Sequence, residues 1–169
     1  LIRAMRRAGE HFVDPANWEV NAAILARPEY CDAPHKLLLH AISDRLVLKQ
    51  GDAPQHYPDF MFQYREAANF PWVSQAEWLY SQLVRWDGLA HDPAAAHAAA
   101  RVFRPDVYRS ALRDTQDPIP TSSSKVEGSV STALEAHTHG GTMLMENNSF
   151  FDGKSFDPDR LEEYIASQK

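Results

Sequence analysis

The residues with the clearest potential for chemistry are two histidines separated by one residue, His137 and His139, which follow Glu135. Two imidazoles and a carboxylate bind zinc when a fourth ligand or a water molecule completes the site. Residues at alternating positions point to the same side only in a strand, and the neighbouring Gly140 and Gly141 indicate a flexible loop instead. We therefore predict no metal site here, and we keep a metal-dependent enzyme that uses these three side chains as a rival hypothesis.

Side chains suited to nucleophilic or acid–base catalysis are also present, but their surroundings argue against catalysis. Ser122, Ser123 and Ser124 precede Lys125 in a segment of prolines and small polar residues, which indicates a solvated turn. Four acidic residues lie where a helix is expected to begin and are favoured there by the helix dipole: Asp157, Asp159, Glu162 and Glu163. The motifs H-E-x-x-H, C-x-x-C, G-x-S-x-G, G-x-G-x-x-G and the P-loop are absent from the sequence. We predict a protein that is not an enzyme, with no catalytic residue, no metal site and no cofactor.

Residues 65–88 concentrate aromatic side chains in one turn and helix. Ser74 followed by Glu77 has the spacing of a capping box, which predicts that a helix begins at Gln75. Gly88 is suited to end that helix. An apolar stripe recurs at helical spacing along it, formed by Trp78, Leu79, Leu83 and Trp86 and widened by Tyr80 and Val84. We expect these rings to pack in the core or between lobes rather than to stack on a ligand.

The composition excludes several classes of function. Hydrophobic residues make up 44% and charged residues 24% of the 169 residues, which is ordinary for a globular protein. The formal net charge of −6 argues against direct nucleic-acid binding, which normally needs a basic surface. No apolar run is long enough to span a membrane. The single cysteine, Cys31, excludes a disulfide within the chain and is expected to be half-buried.

Helix-start signals recur along the chain and predict a mostly helical protein with two or three short strands at most. Residues 1–13 read as a helix that is already under way. Further helices are predicted where a proline occupies the first helical turn, after Asp14, Ala33, Asp92, Arg104 and Asp157. Residues 116–128 read as a linker or a long surface loop. Residues 131–137 form a possible helix, which the two glycines separate from a short apolar run.

The start of the sequence predicts that the chain is the C-terminal part of a longer protein. It begins at Leu1 without methionine, and no N-cap precedes the first helix. Within residues 1–169 we expect a helix-rich lobe segment over residues 1–115, a loop-rich segment over residues 116–149, and a C-terminal turn and helix over residues 150–169.

Four segments, in this order, resemble the C-terminal part of the nitrate/bicarbonate solute-binding proteins of ABC importers and of their cytoplasmic nitrate-sensing relatives. The most specific is residues 58–88, with the pattern FPW-x-S-x-x-x-W-x-x-x-Q-x-x-RW. The others are residues 14–34 with an R-P-x-Y-type turn, residues 103–112 (FRPDVYRSAL) and residues 150–165 (FFDGKSFDPDRLEEYI). Residues 116–148 lie outside the resemblance.

The resemblance implies an α/β fold of the periplasmic binding protein type II kind, in which two lobes enclose a small anion. This chain would be a helix-rich C-terminal fragment of that two-lobed fold. The implied function is the periplasmic substrate-binding component of an ABC importer for nitrate or a similar oxyanion, such as nitrite or bicarbonate, with the membrane subunits of the importer as partners. The anion contacts are expected mostly upstream of Leu1, so no ligand-binding residue is assigned and the roles of His137 and His139 stay open.

Two alternatives from other classes accompany the metal-dependent enzyme. The serine-rich residues 121–128 look like the sensor branch of the same family, which is cytoplasmic and acts through a regulatory partner. A free-standing helical interaction module would account for the apolar helix faces that this chain is expected to expose.

Overall fold

The computed structural model describes residues 1–58 and 60–168. The chain forms two compact units, residues 1–69 and residues 70–169. The first unit contains α1 (Ile2–Val13), α2 (Trp18–Leu25), α3 (His35–Ile42), β1 (Arg45–Leu46) and β2 (Gln55–His56). The second unit contains α4 (Val73–Trp86), α5 (Pro93–Ala100), α6 (Pro105–Leu112), β3 (Ile119–Pro120), β4 (Leu134–His139), β5 (Gly141–Met145) and α7 (Leu161–Ala166).

The helices of the first unit begin where their local sequence signals predict. The Asp14 carboxylate accepts a hydrogen bond from the Ala16 amide at 2.9 Å and caps a short 3-10 turn that leads into α2. The helix α3 follows Pro34 directly. Cys31 was expected to be half-buried but is exposed, because it lies in the turn between α2 and α3.

The core of the first unit is small and includes a buried cation. Ala22, Ile42 and Ala67 are its buried apolar residues. The Arg6 guanidinium lies 3.7 Å from the centre of the Tyr64 ring and donates a hydrogen bond to the Tyr64 carbonyl at 2.9 Å. Stacking on an aromatic face with a carbonyl acceptor compensates for part of the cost of burying a charge. This contact joins α1 to the end of the first unit.

The second unit is organised around α4, which begins earlier than its sequence predicts. The helix starts at Val73, and no side chain caps it. The Val73 amide instead donates to the carbonyl of Ser123 at 2.9 Å. The capping-box prediction for Ser74 is therefore wrong, because a backbone acceptor from a distant loop satisfies the helix end. Gly88 adopts a positive φ of 65° directly after the helix, which confirms its predicted role as a stop.

The predicted apolar stripe of α4 is buried in part. Its members Tyr80 and Val84 pack with Ala96 of α5 and Ile165 of α7 in one apolar cluster, as predicted. Trp78 also packs, since the centre of its ring lies 5.7 Å from that of Phe150 and its indole nitrogen donates to the Tyr164 hydroxyl at 3.2 Å. The prediction is wrong for the other members, which are exposed at 47% for Leu79, 50% for Leu83 and 72% for Trp86.

The strongest departure from prediction is a three-stranded antiparallel sheet with the order β3-β4-β5. Residues 131–137 were expected to be helical, but β4 begins at Leu134 and pairs with β5 through a tight turn at Gly140 and Gly141, both with positive φ. Met143 and Met145 are buried while Leu144 between them is exposed, which is the alternation of a half-buried strand. The strand count is also higher than predicted, since five strands occur in the described residues.

The segment over residues 116–128 is not a linker. Ile119 and Pro120 are buried and pair with His139 and Thr138 of β4. Further along the segment, Glu127 is only 6% exposed. The prolines and serines that suggested a loose loop therefore form packed, hydrogen-bonded backbone.

The last helix follows its sequence signal. The Asp157 carboxylate accepts a hydrogen bond from the Asp159 amide at 3.1 Å and begins the turn into α7. Phe156, just before Asp157, is fully buried, and the centre of its ring lies 5.0 Å from that of Tyr164. Among the described residues, no helix combines the length and the apolar character that a membrane crossing needs.

Candidate functional site

The histidines considered for a metal site lie on β4 and not on a flexible loop. His137 and His139 occupy alternating, exposed positions, as does Glu135, so the three share one face of the strand. Among the residues that the structure describes, no three histidine, cysteine, aspartate or glutamate side chains are close enough to hold a metal ion. The strand geometry thus satisfies the requirement for a shared face, but it does not assemble a ligand set.

The serine–lysine pair considered for catalysis is part of a buried structural network. The Lys125 ammonium forms an ion pair with the Glu127 carboxylate. The Ser122 hydroxyl donates to the carbonyl of Ser124 and has no base beside it among the described residues. The expectation of a solvated turn is wrong for Lys125, whose side chain is only 18% exposed.

Glu127 is the centre of this network and connects three parts of the second unit. Its carboxylate accepts a hydrogen bond from the Ser74 hydroxyl of α4 at 2.7 Å, and that hydroxyl accepts one from the Lys125 amide at 3.2 Å. The backbones of Glu127 and Phe156 exchange two hydrogen bonds of 2.9 Å. The buried polar groups therefore satisfy one another, as buried charges must. Sequence spacing could not show this, because Ser74 and Glu127 are 53 residues apart.

The most constrained cation of the second unit, Arg109, is also used structurally. Its guanidinium donates to the carbonyls of Pro120, Thr121 and Ser122 and to the Ser123 hydroxyl, and it lies 5.1 Å from the Phe70 ring. Burial lowers the pKa of Arg109, but an arginine stays charged under ordinary conditions. Four of its five N–H donors bond the loop that it holds, so its role in the described structure is to fix that loop.

Two neighbouring clefts open beside α4, and both are lined by Glu77 and His97. One, of about 420 Å³, lies against the start of α7 and carries three more carboxylates, those of Asp159, Glu162 and Glu163. Burial, and then the charge of Asp159, raise the pKa of Glu77, while His97 lowers it. The accumulation of carboxylates makes this cleft unfavourable for an anion.

The second of these clefts, of about 630 Å³, contains Arg101 and Arg104. Arg104 donates two hydrogen bonds to Asp106, at 2.8 and 2.6 Å. That contact lowers the pKa of Asp106 to about 2. Arg104 is thus neutralised by Asp106, and Glu77 adds a carboxylate to a lining that also contains Arg101. Carboxylates offset the cations in both clefts, so neither lining has the excess of positive charge that favours a small oxyanion.

Comparison with known proteins identifies relatives along the whole chain. No family model matches the sequence. The nitrate/nitrite binding protein NrtA of Nostoc sp. PCC 7120 is 25% identical over 169 residues, which are 100% of this chain and 34% of that protein. NrtA of Synechococcus elongatus is 24% identical over 171 residues, with the same coverage. The nitrate import ATP-binding protein NrtC of Synechococcus elongatus is 29% identical over 126 residues, 74% of this chain and 18% of that protein.

A solved structure has the same fold. The crystal structure of the periplasmic nitrate-binding protein NrtA from Synechocystis PCC 6803 superimposes with a TM-score of 0.75 over 99% of this chain and 40% of that chain, at 22% identity. The α/β binding-protein fold predicted from the sequence is therefore confirmed, as a partial and helix-rich form of it. The chain spans about a third of the length of the NrtA relatives. The family resemblance is confirmed as well: this chain is a relative of the solute-binding proteins of nitrate ABC transporters.

Proposed function

We propose that this chain belongs to the substrate-binding component of an ABC-type importer for nitrate or a similar small oxyanion. The observation that carries the proposal is similarity to nitrate/nitrite binding proteins along the whole of this chain, together with the shared fold. Binding proteins of this kind need a cleft with a few fixed donors and a hinge that closes on the ligand. They need no nucleophile, and the Ser122–Lys125 region offers none that is activated. We propose a binding function and not catalysis.

Within such a protein, the role proposed for this chain is that of a scaffold rather than of the anion clamp. The clefts beside α4 are lined by carboxylates, and Arg109 is committed to its own loop. We propose that residues 1–169 form the C-terminal portion of the fold and that the anion contacts lie in parts of the protein outside them. We keep the division into residues 1–115, 116–149 and 150–169 as part of this proposal.

The partners proposed are the small oxyanion and the membrane subunits of the importer. Similarity to the nitrate import ATP-binding protein NrtC supports a place in the same import system. We propose a periplasmic location, by analogy with the periplasmic nitrate-binding protein that shares the fold. Direct nucleic-acid binding is not proposed, because the net charge is −6.

The second candidate function is nitrate sensing in the cytoplasm. One observation favours it: a segment similar to this chain also occurs in an ATP-binding protein of nitrate import, so such segments occur outside separate binding proteins. In that case the protein would bind the anion and act on a regulatory partner, instead of delivering the anion to the membrane subunits of an importer. Both candidates predict nitrate binding, and they differ in compartment and partner.

Calorimetric titration of the complete gene product tests the shared part of the proposal. Saturable nitrate binding that chloride and sulfate do not reproduce is expected, and its absence would contradict both candidates. Fractionation of the host cell then separates them, because an importer component is recovered with the periplasm and a sensor with the cytoplasm. Recovery in the cytoplasm would overturn the importer proposal while leaving the anion-binding one intact.

A further inference from the structure

A cleft in the first unit differs from those of the second unit in the charge of its lining. The clefts described in the second unit each include at least one carboxylate side chain. In one cleft of the first unit, of about 460 Å³, no carboxylate side chain is found among the described lining residues. It is lined by Trp18, Leu39, His40, Ser43, Arg45 and His56. Trp18 and Arg45 are donors only, and the other polar side chains of the lining, His40, Ser43 and His56, can act as donors.

The register of the short β1–β2 pair places two of these donors side by side. Arg45 lies directly opposite His56 in the antiparallel ladder, so their side chains leave the same face with Cβ atoms about 5 Å apart. Neither of them has an ion-pair partner among residues 1–58 and 60–168. Two such donors in a cross-strand pair repel each other when both are charged, and an anion between them removes that repulsion.

A third donor of the lining is buried without an acceptor. The indole nitrogen of Trp18 is inaccessible to solvent and makes no hydrogen bond with the described residues. A buried N–H without an acceptor is destabilising, and it makes this indole a sensitive reporter of any group that packs against the Trp18 ring.

The carboxylates and carbonyls nearest in sequence are already engaged. Asp44, between two lining residues, accepts a hydrogen bond from the Met61 amide at 3.1 Å. Glu19, next to Trp18, lies 3.2 Å from the ring of His35. At the end of α3, the Ser43 hydroxyl donates to the carbonyl of Leu39 at 2.7 Å. Each of these acceptors therefore already has a partner among the described residues other than Arg45 or His56.

We propose that this cleft binds a small organic anion, with its carboxylate between Arg45 and His56 and its apolar body against Trp18 and Leu39. An organic ligand is favoured over an inorganic ion because about 460 Å³ falls in the range of small-molecule pockets, roughly 300–1,000 Å³. The inference does not depend on the nitrate-binding proposal, since the site lies wholly within residues 1–69.

The test uses benzoate as the probe and the Trp18 indole N–H as the reporter. The chain has four tryptophans, so the Trp18 cross-peak in a ¹⁵N-correlated NMR spectrum is assigned by its loss in Trp18→Phe. Benzoate is expected to shift this cross-peak saturably, whereas the neutral analogue benzyl alcohol is not. Sodium nitrate, the ligand of the other proposal, is expected to saturate only at much higher concentration.

Variants locate the site. Arg45→Gln is expected to raise the benzoate midpoint about tenfold, the value of one charge-assisted hydrogen bond. His56→Gln should raise it as well, and both positions are exposed, so the fold is expected to tolerate the changes.

Arg101→Gln, in the carboxylate-lined cleft of the second unit, is the matched control and should leave the midpoint unchanged. An unsaturable shift, an equal response to benzyl alcohol, equal midpoints for nitrate and benzoate, or an unchanged midpoint in both Arg45→Gln and His56→Gln would each overturn the proposal.

Discussion

Each of the two units joins its first helix to a distant segment through a buried charged side chain, but the two contacts differ in kind. In the first unit, Arg6 reaches Tyr64, 58 residues away, by stacking on its ring and bonding its carbonyl. In the second unit, Ser74 reaches Glu127, 53 residues away, in a network that includes Lys125. Arg6 and Glu127 are equally buried, at 6% exposure.

The difference lies in what remains when one partner is lost. In the contact of Arg6 with Tyr64, the groups on the Tyr64 side are a carbonyl and an aromatic ring, which are neutral. Removing the Glu127 carboxylate leaves a half-buried ammonium and a fully buried hydroxyl, and an uncompensated buried charge is the more costly of the two. The second unit is therefore predicted to depend more strongly on Glu127 than the first unit depends on the contact of Arg6 with Tyr64. Hydrogen–deuterium exchange of the variants, followed separately over residues 1–69 and 70–168, measures how much each unit is destabilised when its polar contact is removed.

The largest effect is expected from Glu127→Ala. It should lower the free energy of unfolding of the second unit by about 3–5 kcal/mol, because it leaves Lys125 without its ion pair in a buried site. Denaturant titration, with exchange over residues 70–168 as the local readout, measures the loss. Glu127→Gln keeps an acceptor for Ser74 and should cost less. Equal losses for the two variants would show that the charge is not what matters.

Arg6→Ala should have the next largest effect, about 2 kcal/mol, confined to the first unit. It removes one cation–π contact and one charge-assisted hydrogen bond. Accelerated exchange over residues 1–69, with little change over residues 70–168, is the expected pattern. A loss as large as that of Glu127→Ala would contradict the comparison between the two contacts.

A smaller and nearly equal effect is expected from the helix caps of the two units. The carboxylates of Asp14 and Asp92 each accept a hydrogen bond of 2.9 Å, from the amides of Ala16 and Ala94 respectively. Substitution of either aspartate by alanine should cost about 1 kcal/mol, and asparagine should restore most of it. If the two alanine variants differ widely in thermal unfolding, the caps are not equivalent and the units differ in more than their buried contacts.

The smallest effect concerns pH and the cleft beside α4. Burial, and then Asp159, raise the pKa of Glu77 above its ordinary 4.5, while His97 lowers it. The stability that depends on protonated Glu77 is therefore fully present below pH 4.5 and is lost as the pH rises through the raised pKa. Glu77→Gln should flatten this part of the stability profile, and His97→Gln should steepen it. Identical profiles for the three proteins would contradict a role for Glu77.

The sequence predicts local features of this fold well and long-range features poorly. The aspartate caps before Pro15, Pro93 and Pro158 and the stop at Gly88 are correct, because each depends on residues within one turn of the helix. Ser74 has the spacing of a cap, but its hydroxyl is taken by a partner 53 residues away. No residue close to Ser74 in the sequence indicates its contact with Glu127.

The hairpin and the candidate sites were missed for related reasons. Residues 131–137 contain good helix formers, and only pairing with β5 makes residues 134–139 a strand. The carboxylate-free cleft depends on Trp18, His40 and Arg45 from three separate elements and on His56 from a fourth. A short strand was foreseeable at Arg45, but its pairing with His56 in the following loop was not.

The central claim is that the protein to which this chain belongs captures a small oxyanion as the binding component of an importer. Isothermal titration of nitrate into the complete gene product, with the 169-residue chain titrated in parallel, tests it most directly. We expect saturable binding of nitrate by the complete product and none of comparable affinity by residues 1–169 alone, because the anion contacts are proposed to lie outside residues 1–169. Absence of binding by the complete product would contradict the claim, and equal binding by the chain alone would contradict its assignment as a scaffold.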